Sequence, residues 1–194
     1  MSPYRYTWSL LVCATLAVTC APTRFTYAPV STTSADVEGA PAVVYDIPPG
    51  AGRGDVRVAM LGLAALRPAG VEDSTLRAIH VALEVRNRSA ERWSLDPSEA
   101  HLELAMDHER MEVYATSARI SALPVVDVAP GGHETVHLYF PLPIRLQTER
   151  ALPSFDVLWT VRLPSRAVTE RTSFQRFIAP PAVDPRAGRY PHEL

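Results

Sequence analysis

Ile79-His80-Val81-Ala82-Leu83-Glu84-Val85-Arg86 is the stretch on which the fold class turns. Its apolar residues, Ile79, Val81, Leu83 and Val85, alternate with His80, Ala82, Glu84 and Arg86, a period of two rather than 3.6. In an extended chain successive side chains leave on opposite faces, so this run buries one face and wets the other. Asn87-Arg88-Ser89 follows and marks a turn, because short polar side chains bond to nearby backbone there.

The same alternation recurs on both sides. Phe155, Val157, Trp159, Val161 and Leu163 form a second set closed by Pro164, and Val136, Leu138 and Phe140 a third closed by Pro141. Val56, Val58 and Met60 begin a fourth. Shorter candidates are 102–106, 111–115, 125–128 and 169–177. Many short strands separated by Pro, Gly, Asn and Ser predict an all-β antiparallel sandwich of about seven to nine strands over 55–178. Pro97 to Ala115 competes as a helix with Ser98 as its cap, but Leu102 and Met106 make a poor apolar stripe. Two strands joined at Asp107-His108-Glu109-Arg110 are the better reading. Trp93, Phe155 and Trp159 read as core or rim aromatics.

The N-terminus predicts where the protein works. Arg5 precedes an apolar run, Trp8 to Thr19, that ends at Cys20. A positive start and a short apolar stretch describe a secretory signal peptide over 1–19, too short for a comfortable membrane span. Leu16-Ala17-Val18-Thr19-Cys20 resembles the lipobox of bacterial lipoproteins, in which the cysteine is acylated and becomes the new N-terminus. Leu16 stands one place early for that motif, and Thr19 where Gly or Ala is usual. The resemblance implies lipid attachment at Cys20, and Ala21 after it implies passage to the outer membrane, facing the periplasm or the cell surface. The alternative is an ordinary cleavage site and a soluble periplasmic domain. Both cysteines, Cys13 and Cys20, lie in this leader, so the remaining chain has no thiol pair for a disulfide.

From 20 to 54 the chain is rich in Thr, Ser, Ala, Pro and Gly, with a brief apolar patch at Val43-Val44-Tyr45, and predicts a flexible lipid-anchored tether. A coil of that length spans on the order of 30 Å. Residues 179–194 are proline-studded and predict an extended tail.

Composition narrows function mainly by exclusion. A net charge of -2 over 194 residues gives no electrostatic reason to expect nucleic acid. All 19 basic residues are arginine, scattered along the chain, which reads as a GC-rich genome rather than a dedicated anion site. No nucleophile elbow or phosphate-binding glycine loop occurs. His133-Glu134-Thr135-Val136-His137 does match the H-E-x-x-H signature of zinc peptidases. That chemistry needs a helix, where residues four apart lie about 5–6 Å from each other. On a strand the same spacing separates them by about 13 Å. Pro130-Gly131-Gly132 before the motif, the β-branched Thr135 and Val136, and Pro141 and Pro143 after it all predict a strand, with His133 and His137 outward beside Thr135. A secreted zinc peptidase is therefore the lesser reading. His80, His101, His108 and His192 lack ligand spacing, and only cross-strand pairing could assemble a metal site from them.

Two elements carry a family resemblance. Val81 to Ser89 followed by Trp93-Ser94-Leu95 is similar to the strand, Asn-x-Ser turn, strand element of telokin-like immunoglobulin-fold domains in bacterial envelope lipoproteins. Val128-Ala129-Pro130-Gly131-Gly132 and Val136 to Pro143 resemble their Pro-Gly turn and following strand. The resemblance implies an immunoglobulin-like sandwich in the cell envelope and no particular activity. The resulting expectation is a non-catalytic lipoprotein, without cofactor or identified small-molecule substrate, held to the membrane by Cys20 and contacting another envelope protein.

Overall fold

The computed structural model describes residues 25–31, 35–67, 75–117, 122–147 and 152–178. Cys20, the leader over 1–19 and the tail over 179–194 lie outside the described residues. Twelve strands occupy the described chain: β1 (Phe25–Pro29), β2 (Ala35–Val37), β3 (Ala40–Asp46), β4 (Gly54–Leu66), β5 (Leu76–Asn87), β6 (Trp93–Leu95), β7 (His101–Leu104), β8 (Arg110–Glu112), β9 (Val126–Val128), β10 (His133–Pro141), β11 (Phe155–Leu163) and β12 (Arg166–Ile178). All pairings are antiparallel and form two sheets. The fold is an all-β sandwich. Its strand count exceeds the expected seven to nine because five strands are only three or four residues long and three lie before residue 55.

One sheet has the order β10-β5-β4-β3-β2. The other runs β1-β12-β11, and the free flank of β11 is shared: β6 pairs with Val161 and Arg162, and β7 with Phe155 to Leu158. β9 extends β6 and β8 extends β7. The chain changes sheets between β1 and β2, between β5 and β6, between β9 and β10, and between β10 and β11, so strands distant in sequence face one another. Between the sheets lie Trp93, Trp159, Phe140, Phe155 and Phe174, fully buried against Ile79, Leu83 and Leu102. Trp159, Phe140, Phe155, Ile79 and Leu83 are inward residues of the alternating runs, and transfer of the whole set from water drives the two sheets together.

The turn after β5 is held by Asn87, which is completely buried. Its Nδ2 donates to the carbonyls of Glu91 at 2.6 Å, Val128 at 3.1 Å and Ala129 at 3.2 Å, and its Oδ1 accepts from Ser89 N at 3.0 Å and Ser89 Oγ at 2.7 Å. One side chain thus makes the turn and ties the end of β5 to the end of β9 in the other sheet. Gly54 supplies the space beside it: a Cβ there would collide with the Trp93 ring and the Arg86 carbonyl.

The competing helix over 97–115 does not form. A single 3-10 turn spans Pro97–Glu99, and Asp96 rather than Ser98 caps it, accepting from Ser98 N at 3.0 Å. β7 and β8 then pair around a turn at 105–109, as the poor apolar stripe implies.

The tether over 20–54 requires correction, and with it the domain start at 55. From Phe25 onward most of that stretch is strand. β1 pairs with β12 from Phe25↔Ile178 to Pro29↔Phe174, and β3 pairs with β4. Tyr27 donates its hydroxyl to the Leu152 carbonyl at 2.9 Å, and Tyr45 packs edge-on against Trp159 at 5.1 Å. Backbone pairing with strands already in place meets the ordering cost that the sparse apolar side chains could not meet alone.

Candidate functional site

The outer face of the five-stranded sheet carries the chemistry, and strand register dictates what meets there. Asp55, Arg86 and His133 lie abreast on β4, β5 and β10, followed by Arg57, Glu84 and Thr135, then Ala59, Ala82 and His137. One row further on, His80 lies abreast of Tyr139, so His137 and His80 are diagonal neighbours within reach of one another.

The H-E-x-x-H residues are on strand β10, with Val136, Leu138 and Phe140 buried and His133 exposed. Four strand steps keep His133 about 13 Å from His137, and the two imidazoles do not converge. His137 instead pairs with His80: His80 Nε2 and His137 Nδ1 are 2.9 Å apart. On the other side His137 Nε2 lies 3.5 Å from Glu38 Oε1. Glu38 reaches this far because the β2–β3 hairpin folds over Ala59 and Ala82, burying Val37 in one cluster with these alanines and Ala42. Its two-residue tip, Glu38-Gly39, has φ of 51° and 79°, the left-handed pair that a tight hairpin turn demands and that Gly39 adopts without steric cost.

The result is a chain Glu38–His137–His80 with Tyr139 stacked on His80 at 4.3 Å and 14° between planes. Burial, and then the neighbouring His137, lowers the His80 pKa to about 4, so His80 is neutral at physiological pH. The two facing imidazole nitrogens make one N–H···N bond, and the tautomers of the rings set which of them donates. Burial raises the Tyr139 hydroxyl pKa, with Glu38 adding to the effect. Because Glu38 lies on the far side of the His137 ring from His80, the three do not enclose a common point. Among the described residues no three His, Cys, Asp or Glu side chains converge to hold a metal ion.

At the Asn87 end of the same face is a recess of about 440 Å³ lined by Asp55, Arg57, Glu84, Arg86, Arg88 and His133 with Gly131 and Gly132. Asp55 is buried and accepts from Arg57 Nε at 3.1 Å and from Arg88. Glu84 accepts from Arg86 Nε at 2.7 Å. Three guanidinium groups thus face two carboxylates, and the side chains of Arg86 and Arg88 are 40% and 62% exposed. Such groups can grip a carboxylate or phosphate through paired N–H donors. The arginines look scattered in sequence because this grouping comes from β4, β5 and the turn after β5 lying side by side. The one local signal was the outward position of Arg86 in the alternating run. Glu38 had no signal at all, since it lies within the expected tether.

No family model matches this chain, and no curated protein matches it. Among solved structures, a Northeast Structural Genomics Consortium target is similar over 71% of this chain and 96% of its own, with a TM-score of 0.35 and 11% identity. A protein from Archaeoglobus fulgidus is similar over 63% of this chain and 98% of its own, with a TM-score of 0.37 and 14% identity. At these scores neither likeness carries an argument about function.

Proposed function

We propose that this chain is an exported bacterial lipoprotein, anchored in the outer membrane through Cys20, whose sandwich binds another envelope protein and has no catalytic role. The observation that carries the binding reading is the arginine-lined recess. Its three guanidinium groups against two carboxylates leave one positive charge to be met by an acidic side chain or chain terminus of the partner. The recess also lies at the end of the sandwich opposite Phe25, where the chain arrives from Cys20, so an anchored domain presents it away from the lipid. The strand placement of His133 and His137 supports a non-catalytic role, because no shared zinc can use both.

Two measurements on the full chain in its own envelope test this. Palmitate labelling and detergent partitioning should follow the wild-type chain into the detergent phase and be lost in Cys20→Ser. If both forms stay aqueous, the soluble periplasmic reading replaces the anchor. A photo-crosslinking residue at His133 should capture one envelope protein. Arg86→Gln with Arg88→Gln should reduce that adduct roughly tenfold or more, the equivalent of one or two charge-assisted bonds. An adduct unchanged by the double variant refutes the recess as the contact.

A further inference from the structure

The two ends of the sandwich are unlike. At the end away from the recess, β1 begins, β12 ends, the 105–109 turn joins β7 to β8, and residues 142–147 follow β10. Hydrogen bonds hold these together: Ala105 N donates to the Ser154 carbonyl at 2.9 Å, Leu142 N to the Arg77 carbonyl at 2.8 Å, and Tyr27 OH to the Leu152 carbonyl at 2.9 Å. Arg145 bridges the two turns, with Asp107 at 3.1 Å and Glu109 as its partners.

This end carries the two most exposed large apolar side chains among the described residues, Ile144 at 89% and Met106 at 82%. The Arg145 bridge places them on adjacent turns. Phe177, on the β1–β12 ribbon that projects beyond the start of β11, is a third at 44%. Val30, Val44 and Val125, exposed elsewhere, are smaller and lie on separate strands or their flanks. Grouped apolar side chains in water mark a surface that something covers.

Chain length says what covers it. Five residue steps separate Cys20 from Phe25, at most about 18 Å when fully extended. A headgroup layer takes up roughly 5–8 Å of that. The start of β1 is paired to β12, so the sandwich itself must stand within about 13 Å of the headgroups. We infer that this end is seated on the lipid surface, with Met106 and Ile144 dipping into the boundary between headgroups and acyl chains. The inference rests on the lipid at Cys20 proposed above. The recess then lies at the end of the sandwich away from the membrane, about 30 Å further along the nine-residue β11.

Cysteine content makes the test direct. In the lipidated chain the Cys20 thiol is consumed and the leader with Cys13 is gone, so one introduced cysteine is a unique labelling site. Met106→Cys, Ile144→Cys and, at the opposite end, Ser165→Cys are exposed positions, and circular dichroism checks that each variant folds. Each intact lipoprotein, labelled with an environment-sensitive fluorophore, is reconstituted into vesicles of phosphatidylethanolamine and phosphatidylglycerol. Labels at 106 and 144 should shift to the blue, brighten several-fold and be quenched by shallow spin-labelled lipid, while the label at 165 stays aqueous. If the protein floats with the vesicles but 106 and 144 behave like 165, the seat is refuted and the anchor stands. If the chain neither floats nor takes up palmitate, the anchor reading fails and the seat fails with it.

Discussion

Replacing Asn87 tests whether its buried amide, as well as its turn-forming oxygen, holds the sandwich together. In Asn87→Ala the carbonyls of Glu91, Val128 and Ala129 lose their donor, and Ser89 loses the acceptor for its N–H and hydroxyl. Nδ2 has two hydrogens, so two full bonds disappear from a buried site, each worth about 1 kcal/mol, with a further penalty of about 1–3 kcal/mol for acceptors left dry. The expected loss is about 4 kcal/mol. For a domain of this size that is a fall in Tm of roughly 10 °C. Asn87→Asp is the sharper variant. It keeps an acceptor for Ser89 but turns a carboxylate oxygen on three carbonyls, so it should cost as much as alanine at neutral pH and recover in part when acid protonates it. Thermal unfolding by circular dichroism over pH 4–8 reads both effects. An Asn87→Asp protein melting within about 3 °C of wild type at neutral pH, where alanine costs roughly 10 °C, would refute the donor role and leave only the turn.

Other expectations follow from single contacts. Between pH 6.5 and about 4 the unfolded chain protonates His80 while the folded one does not, so stability is full above pH 6.5 and falls toward pH 4. The loss should be about 2 kcal/mol, discounted for a ring that is not fully buried, and His80→Gln should flatten that part of a pH series of denaturant melts. Gly54→Ala forces a Cβ against Trp93 and the Arg86 carbonyl; it should cost about 1–3 kcal/mol or more and shift the Trp fluorescence, and an unchanged denaturant midpoint would show that the contact yields. Thr172 is fully buried, accepting from Trp159 Nε1 at 3.0 Å and donating to Tyr45 OH at 2.9 Å. Thr172→Val should therefore cost about 1–3 kcal/mol by leaving the indole N–H dry, whereas Thr172→Ser should cost less.

Much of the fold is legible locally. Alternation in 79–86, 136–140 and 155–163 names the inward residues, and each lies in the core where its strand places it. The Asn87-Arg88-Ser89 turn is equally local, because Asn87 bonds Ser89 two residues on. The strands before residue 55 were hidden for the opposite reason. β1 gains its partner from β12, nearly 150 residues later, and its sparse apolar content gives no periodic signal. The H-E-x-x-H motif was readable as a strand, but the partner of His137 was not. His80 lies 57 residues away and meets it through the β5–β10 register, while Glu38 arrives from a hairpin folded across the alanine row.

For the long alternating strands the sequence alone determined which residues extend and which face is apolar, since side-chain alternation is a property of neighbouring residues. It also set the spacing between Cys20 and the first strand, which limits how far a lipid at that cysteine would let the domain stand from the membrane. Only the tertiary structure decided which outward residues became neighbours. The arginines of the recess and the imidazole pair each join positions far apart in the chain. Strand register and crossing between sheets bring them within bonding distance, and no local pattern encodes either one.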